Sequence, residues 1–310
     1  MTPTVLITGR DGQLGFELRR TLSPVARVVA VDIDDVDFSN LDAVRQLVRN
    51  SGANVIVNAA AYTAVDRAES EREAAQRING DVPGVLAEEL KQRGGKLIVH
   101  YSTDYVFKGT AATPYTENEI PDPINVYGET KRSGERAVEL AGIPHAIFRT
   151  EWLYATRGKN FLLTILRLAR EGQPLRIIAD QIGAPTWARM LAEASAQVIA
   201  RFLNASADEA NAWSGIYHLT AAGQTTWHGF TEAILTESIR RLQALKQPTE
   251  WCEAALRSLT PIPTSEYPTP ARRPAFSLLS NQKIARVFGI ALPDWRDQLR
   301  FALEDFDFPQ

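Results

Sequence analysis

Short apolar runs alternate with longer amphipathic segments through the first half of the chain. The apolar runs, rich in β-branched residues, predict strands at Val5–Thr8, Arg27–Val31, Val55–Asn58, Lys96–Ser102 and Ala146–Phe148. The segments between them predict helices at Phe16–Leu22, Leu41–Asn50, Glu71–Arg93 and Val126–Ala141. Because such alternation builds strand–helix–strand units, we predict an α/β fold in which residues 1–150 form a doubly wound parallel sheet.

The second half is less regular. Its pattern predicts a strand at Tyr217–Thr220 and helices at Phe161–Glu171, Ala188–Asn204, Trp227–Ala244, Asn281–Phe288 and Trp295–Phe306. Thr260–Pro274 is rich in proline, serine and threonine, so we expect it to be irregular. We assign residues 151–310 mainly to a smaller C-terminal substrate-binding lobe. We expect residues 188–204 and part of 225–245 to pack back on the first domain.

Three glycines follow the first predicted strand. Gly9, Gly12 and Gly15 have the spacing G-x-x-G-x-x-G, and a predicted helix follows them. Glycines permit a tight turn and let a pyrophosphate approach the backbone at the helix N-terminus. The pattern therefore predicts a Rossmann-like dinucleotide site, whereas the Walker A pattern does not occur. The candidate contacts in this loop are Gly9, Asp11, Gly12, Gln13, Leu14 and Gly15.

Two residues expected near the adenosine end of the cofactor favour different cofactors. Asp32 ends the second strand, where a carboxylate accepts hydrogen bonds from ribose hydroxyls and repels a 2′-phosphate, which favours NADH. Arg10 is a candidate partner for that phosphate and favours NADPH. Both cofactors therefore remain candidates. The other expected cofactor contacts are Asp37, Phe38, Ala59, Ala60, Ala61 and Tyr101.

Tyr127 and Lys131 stand four residues apart, so they share one face of the predicted helix. We expect the lysine ammonium to lower the pKa of the phenol, which makes Tyr127 a candidate proton donor to a carbonyl group during its reduction. Thr103 follows the fourth strand, where its hydroxyl can donate to the same carbonyl oxygen. Thr103, Tyr127 and Lys131 are the candidate catalytic residues, and the last two also join the expected cofactor contacts.

Composition narrows the class of protein. Of the 310 residues, 45% are apolar and 23% charged, with a formal net charge of −3 and no long basic run. We therefore expect neither nucleic acid nor an anionic membrane as partner. The single cysteine, Cys252, excludes an internal disulfide, and we find no signal peptide or apolar membrane span. These features predict a cytoplasmic enzyme.

Five segments together resemble the dTDP-4-dehydrorhamnose reductase family, within the extended short-chain dehydrogenase/reductase superfamily. They are Gly9–Gly15, Asn58–Asp66, Tyr101–Phe107, Asn125–Gly128 with Lys131, and Pro268–Pro274. The resemblance implies NAD(P)H-dependent reduction of the 4-keto group of dTDP-4-dehydro-L-rhamnose, the last step of dTDP-L-rhamnose synthesis. It also implies that the dTDP-sugar contacts Thr103, Asp104, Tyr127, Trp152, Arg272 and Arg273.

Two positions depart from the family pattern. Some members pair through Mg²⁺ held by acidic residues, and Glu17 and Glu304 match two of these positions. Arg189 stands near the third, so we expect no metal site, doubt a need for Mg²⁺, and leave a monomer or a homodimer open. Glu151 stands where a small residue is expected.

Two other functions remain open. A nucleotide-sugar epimerase or dehydratase shares the glycine loop and the Tyr–Lys pair. A dehydratase also needs an Asp-Glu pair beside the threonine, which Asp104-Tyr105 does not supply. A non-catalytic regulatory subunit could retain the fold, although the intact set of Thr103, Tyr127 and Lys131 argues against that role.

Overall fold

A parallel sheet organises residues 2–308, the part of the chain that the computed structural model describes. In chain order the strands are β1 Thr4–Thr8, β2 Arg27–Val31, β3 Val55–Asn58, β4 Leu97–Thr103, β5 His145–Thr150, β6 Leu153–Tyr154, β7 Arg176–Ile178, β8 Ile182–Gly183, β9 Thr186–Trp187, β10 Gly215–His218, β11 Thr225–Thr226 and β12 Thr260–Ile262. The main sheet has the order β10-β5-β4-β3-β1-β2, and every neighbouring pair in it is parallel. The predicted fold class is confirmed.

Helices cover both faces of this sheet and build the lobe beside it. They are α1 Gln13–Leu22, α2 Leu41–Ser51, α3 Val65–Ala68, α4 Arg72–Gln76, α5 Val82–Gln92, α6 Val126–Ala141, α7 Phe161–Arg170, α8 Ala188–Asn204, α9 Ala207–Trp213, α10 Trp227–Ala244, α11 Glu250–Ser258, α12 Gln282–Phe288 and α13 Trp295–Glu304. No helix within residues 2–308 is both long and apolar enough to cross a membrane.

The strands are apolar throughout because both of their faces are buried. In β1, Val5 and Ile7 face one core with α1 and α8, whereas Leu6 faces the other core with α2, α5 and α6. This alternation follows from the two-residue period of a strand. A third core joins α7, α10, α11 and α13 in the C-terminal lobe.

The predicted helix Glu71–Arg93 is interrupted. A π-helical turn at Arg77–Asp81 separates α4 from α5. Asn79 in this turn accepts a hydrogen bond from Tyr62 N at 2.8 Å and donates to Thr130 Oγ1 at 3.2 Å. Pro83 has no N–H group and lies in the first turn of α5, where none is needed. Periodicity alone does not reveal such a local insertion.

The second half differs from its prediction in three places. The strand expected at Tyr217–Thr220 begins and ends two residues earlier, at Gly215–His218, and this strand, β10, pairs with β5 as the outer strand of the main sheet. Thr260–Pro274 is not wholly irregular, because β12 pairs with β7. Whereas α8 packs on α1, α10 packs mainly on α7, α11 and α13, because its apolar residues join the lobe core.

The sheet positions a crevice at its carboxyl edge. From β1 the chain passes to β2 on one side and later to β3, β4 and β5 on the other. In doubly wound sheets ligands bind outside the strand ends at this point of reversal. The turns that follow β1 to β5 therefore define the candidate site.

Candidate active site

One cleft of about 1160 Å³ lies between these turns and the C-terminal lobe. It brings together residues that are far apart in sequence. Of the predicted site residues, those lining it are Gly9, Asp11, Gly12, Gln13, Leu14, Asp32, Asp37, Phe38, Ala59, Ala60, Ala61, Tyr101, Thr103, Asp104, Tyr127, Lys131, Trp152 and Arg273. Gly15 and Arg272 are not among the lining residues: Gly15 packs beneath the loop, and Arg272 is exposed.

The glycine loop is a close-packed cradle. Gly9 has a φ of +75°, and a Cβ atom there would lie 2.7 Å from Ala60 N. A Cβ atom on Gly15 would lie 1.9 Å from Gly9 O. Gly12 is the N-cap residue of α1, and it has no side chain that could accept hydrogen bonds from the helix. The first N–H groups of α1 are therefore available to an anion. These features fit the pyrophosphate of a dinucleotide.

The other end of the cradle is ordered by carboxylates. Asp32 Oδ2 accepts a hydrogen bond from Asp11 N at 2.7 Å, and Asp32 Oδ1 accepts one from Ile33 N at 2.7 Å. Arg10 forms ion pairs with Asp11 at 2.9 Å and with Asp35 at 2.6 Å. Arg10 therefore has carboxylate partners that a 2′-phosphate would have to replace.

Thr103, Tyr127 and Lys131 converge at the centre of the cleft. Thr103 ends β4, and its Oγ1 accepts a hydrogen bond from Tyr105 N at 3.1 Å. Tyr127 lies in the first turn of α6, and Lys131 follows one turn later. Lys131 Nζ donates to Tyr101 O at 2.5 Å, which fixes the ammonium group against β4.

Burial is the largest influence on the pKa values of Tyr127 and Lys131. It raises the pKa of Tyr127, and the Asp104 charge adds to the increase, while a hydrogen bond from Thr103 opposes it. The direction is opposite to the one expected from Lys131, because desolvation of the phenolate is the largest influence on the pKa. Burial also lowers the pKa of Lys131 to about 8, against the charge of Glu135, which raises it. Tyr127 is accordingly a neutral phenol that holds its proton at neutral pH.

Asn125 connects the tyrosine-bearing helix to the C-terminal segment. Its Oδ1 accepts from Gly128 N at 2.8 Å and caps α6, and its Nδ2 donates to Arg272 O at 2.8 Å. Arg273 then turns into the cleft, where Nη2 donates to Asp66 Oδ2 at 2.8 Å. Of the two candidate arginines, only Arg273 has this position.

Two tryptophans form one wall of the cleft. Trp152 has a φ of +45°, and its ring stacks on Trp227 with centroids 3.6 Å apart and planes inclined by 7°. Glycine is required at Gly183, since a Cβ atom there would lie 2.4 Å from the Trp152 ring. Trp227 also contacts Phe161, so the wall continues into the lobe.

Asp104 and Glu151 form a buried carboxyl pair at the same place. Thr103 Oγ1 donates to Asp104 Oδ1 at 2.9 Å. Glu151 Oε2 accepts from Ala184 N at 3.0 Å and from Ser277 Oγ at 2.9 Å. Burial raises the pKa of Asp104 to about 7, while the Thr103 hydrogen bond lowers it, and burial and the Asp104 charge raise the pKa of Glu151 well above its usual range. Tyr105, the next residue in the sequence, is not an acidic partner for Asp104. The fold supplies Glu151 as that partner.

The positions expected from metal-linked relatives hold an ion-pair cluster. Arg189 Nε lies 3.3 Å from Glu17 Oε2, and its Nη1 contacts Asp305 Oδ2. Glu304, in α13, accepts a hydrogen bond from Arg241 at its backbone carbonyl. A guanidinium between carboxylates takes the place a cation would need, so these residues do not fit a Mg²⁺ site.

Several lining residues were not predicted from the sequence. The sequence gives Trp227 no predicted role in the site, and Glu151 stands out only as a departure from the family pattern. Others flank predicted positions or come from the loop after β6. They are Ile33, Ser39, Thr63, Val65, Ile78, Ser102, Tyr105, Thr150, Leu153, Gly158, Lys159, Asn160 and Phe161. A polar or aromatic residue directly after a strand that ends at the crevice was the available signal for Glu151, but no such signal marked Trp227.

The parallel sheet, the glycine cradle and the Tyr–Lys pair together are those of a Rossmann-like, dinucleotide-binding α/β protein. Residues 3–308 match the family described as RmlD substrate binding domain, and the chain belongs to this family. The resemblance found in its motifs is thereby confirmed.

Known proteins resemble this one in sequence and structure over nearly the whole chain. A dTDP-4-dehydrorhamnose reductase of Burkholderia thailandensis is 47% identical over 301 residues, covering 97% of this chain and 98% of the relative. The crystal structure of dTDP-4-dehydrorhamnose reductase from Bacillus anthracis in complex with NADP has a TM-score of 0.85 at 31% identity, covering 98% of this chain and 100% of that one. For the Clostridium acetobutylicum dTDP-4-dehydrorhamnose reductase the TM-score is 0.83 at 34% identity, with 97% and 98% covered.

Proposed function

We propose that this protein is an NAD(P)H-dependent reductase that converts the 4-keto group of dTDP-4-dehydro-L-rhamnose to a hydroxyl group, giving dTDP-L-rhamnose. The observation that carries the proposal is the convergence of Thr103, Tyr127 and Lys131 in one cleft with the glycine cradle. Relatives of the same family, alike over nearly their full length, have this activity in their names.

The glycine cradle and the residues around it form the proposed cofactor-binding site. The Gly9–Gly15 loop and the start of α1 would hold the pyrophosphate, Asp32 would hold the adenosine ribose, and Ala59–Ala61 leave room along the backbone. The NADP bound to the Bacillus anthracis relative supports a nicotinamide dinucleotide in this cleft. When bound, the reduced nicotinamide supplies the hydride.

The protein's part in the reduction is to orient and protonate the carbonyl oxygen. The Thr103 hydroxyl donates to Asp104 Oδ1 in the free protein, and in the complex its one proton would turn to the carbonyl oxygen. The neutral Tyr127 phenol gives that oxygen a proton as the alkoxide forms. This leaves a buried phenolate, which is unfavourable without a nearby cation. Lys131, one turn along α6, provides the positive charge and would also bind the nicotinamide ribose.

The rest of the dTDP-sugar occupies the lobe side of the cleft. Asp104 accepts from the sugar, and Trp152 packs against it. Arg273 binds the diphosphate, which suits a guanidinium fork; to do so it shares or leaves its ion pair with Asp66. Arg272 is not required, because it is exposed and its carbonyl serves to anchor the segment.

We also propose that the enzyme needs no Mg²⁺ and works as a monomer or homodimer in the cytoplasm. Arg189 between Glu17 and Asp305 supports the first point. For the location, the support is that Cys252, the one cysteine of the chain, is a buried free thiol, so the fold does not depend on a disulfide.

The test is a turnover assay with the purified protein, dTDP-4-dehydro-L-rhamnose and either NADH or NADPH. Loss of absorbance at the reduced nicotinamide band, with one sugar reduced for each cofactor oxidised, is the expected result. Sugar isomerised or dehydrated without net oxidation of the cofactor would instead support an epimerase or dehydratase. Cofactor binding without conversion of any sugar would support a regulatory subunit.

A further inference from the structure

The Asp104–Glu151 pair contains two buried oxygen atoms without a hydrogen-bond partner among the described residues. They are Asp104 Oδ2 and Glu151 Oε1. Asp104 is 3% exposed and Glu151 is 2% exposed, and both line the cleft. A buried polar atom without a partner is costly, so both atoms call for a hydrogen-bonding group in the cleft.

The other oxygen of each carboxyl group is already occupied. Asp104 Oδ1 accepts from Thr103, and Glu151 Oε2 accepts from Ala184 N and Ser277 Oγ. In the free protein these contacts fix both groups and orient their remaining oxygens. Two ionised carboxylates in one buried site repel each other, so the pair is more stable with a proton on one member.

Glu151 is the member that carries the proton. Burial, followed by the charge of Asp104, raises its pKa well above its usual range. The titratable groups that face the pair are Tyr105, in the same turn as Asp104, and Tyr127 on α6. Burial raises the pKa of both phenols, so they stay neutral, while the positive charge of Arg273 acts on Tyr105. The pair therefore presents one acceptor and one donor.

A hydroxyl group both donates and accepts, and it matches this arrangement. We propose that neutral Glu151 and ionised Asp104 form a subsite for one hydroxyl group of the bound sugar, which donates to Asp104 Oδ2 and accepts from Glu151 Oε1. The inference rests on the proposed function for its ligand, but the protonation of Glu151 does not. Glu151 thereby becomes a substrate-binding residue that determines specificity for a hydroxylated ring.

The protonation is tested first, without substrate or cofactor. The infrared spectrum of the free protein should contain the carbonyl band of a protonated carboxyl group. Glu151→Gln should lack this band, whereas Glu139→Gln, which alters an exposed carboxylate of the same helix as Tyr127, should retain it. Equal spectra of the wild type and Glu151→Gln would overturn the proposal.

Binding of the sugar is tested by kinetics. The amide of Glu151→Gln retains a donor of similar shape, so its KM for the sugar ketone at pH 7 should stay within about threefold of the wild type. Glu151→Ala removes the donor, and KM should rise by about 5- to 100-fold with a smaller change in kcat, as expected when one buried partner is lost. The KM of the wild type should rise with pH as the shared proton is lost, and that of Glu151→Gln should change less.

An incorrect function and an incorrect subsite would give different experimental results. A wild-type protein that shows the carboxyl band but reduces no dTDP-sugar ketone would contradict the proposed function and, with it, the sugar as the subsite's ligand. Turnover with an unchanged KM in Glu151→Ala would contradict the subsite and leave the function standing. If Glu151→Ala does not fold, a Glu151→Gln variant with the alanine variant's predicted KM increase would overturn the proposal, and one with a wild-type KM and a flatter pH profile would support it.

Discussion

At the scale of single residues, the chemistry depends on the state of Tyr127. Burial keeps its phenol neutral, which is the form that a proton donor requires. Tyr127→Phe should therefore lower kcat by roughly 10²- to 10⁴-fold with little change in sugar binding. Steady-state kinetics check this, with the exposed Tyr267→Phe as the matched control. Near-normal turnover in Tyr127→Phe would remove it from the catalytic set.

Asp32 sets cofactor preference at the other end of the cleft. Its carboxylate lies after β2 and accepts from Asp11 N and Ile33 N. Asp32→Ala should weaken NADH more than NADPH, because only NADPH gains when a negative charge near its 2′-phosphate is removed. KM values for both cofactors measure this, and Asp34→Ala, a neighbouring exposed carboxylate, is the control. An equal loss for both cofactors would exclude this role.

Residues near a recognisable motif could be predicted, and isolated ones could not. Gly9, Thr103 and Tyr127 each stand directly at a strand end or helix start, where the local pattern indicates their place in the fold. Trp227 reaches the cleft only through tertiary packing on Trp152. Glu151 directly follows β5, but its pairing with Asp104 depends on tertiary packing. Nor could the pKa of Tyr127 be predicted, because desolvation depends on how completely the surrounding chain covers the ring.

At the scale of elements, Asn125 holds two parts of the site together. It caps α6 and anchors the segment that presents Arg273. Asn125→Ala should lower the free energy of unfolding by about 1–3 kcal/mol, more than the ~1 kcal/mol expected for Asn40→Ala, which removes only the cap of α2. Chemical denaturation measures both. The Asn125 variant should also raise KM for the sugar, and equal effects of the two changes would contradict the anchoring role.

The elements themselves could be predicted where one periodicity persists. The strands β1 to β4 lie within one residue of their predicted bounds, since apolar β-branched runs are distinctive. The π-helical turn at Arg77–Asp81 and the place of β10 in the sheet could not be predicted. The first depends on the contacts of Asn79 with Tyr62 and Thr130, and the second on which partner strand lies nearest in space.

At the scale of the whole molecule, the cluster of Glu17, Arg189 and Asp305 bears on assembly. A guanidinium in place of a carboxylate repels Mg²⁺. Mg²⁺ should therefore be dispensable for both solution mass and turnover. Light scattering with and without a chelator, alongside activity, measures this. A dimer that dissociates on chelation while activity falls in step would mean that other carboxylates complete a metal site.

The central claim is that a hydride from the cofactor reaches C4 of the sugar, and isotope transfer measures it most directly. The enzyme is supplied with dTDP-4-dehydro-L-rhamnose and nicotinamide cofactor deuterated at the transferred position, and the product is examined by NMR. The expected product is dTDP-L-rhamnose with one deuterium at C4 for each cofactor oxidised, and Tyr127→Phe should transfer deuterium only at its residual rate. Product without deuterium at C4, or sugar converted while the cofactor stays reduced, would contradict it.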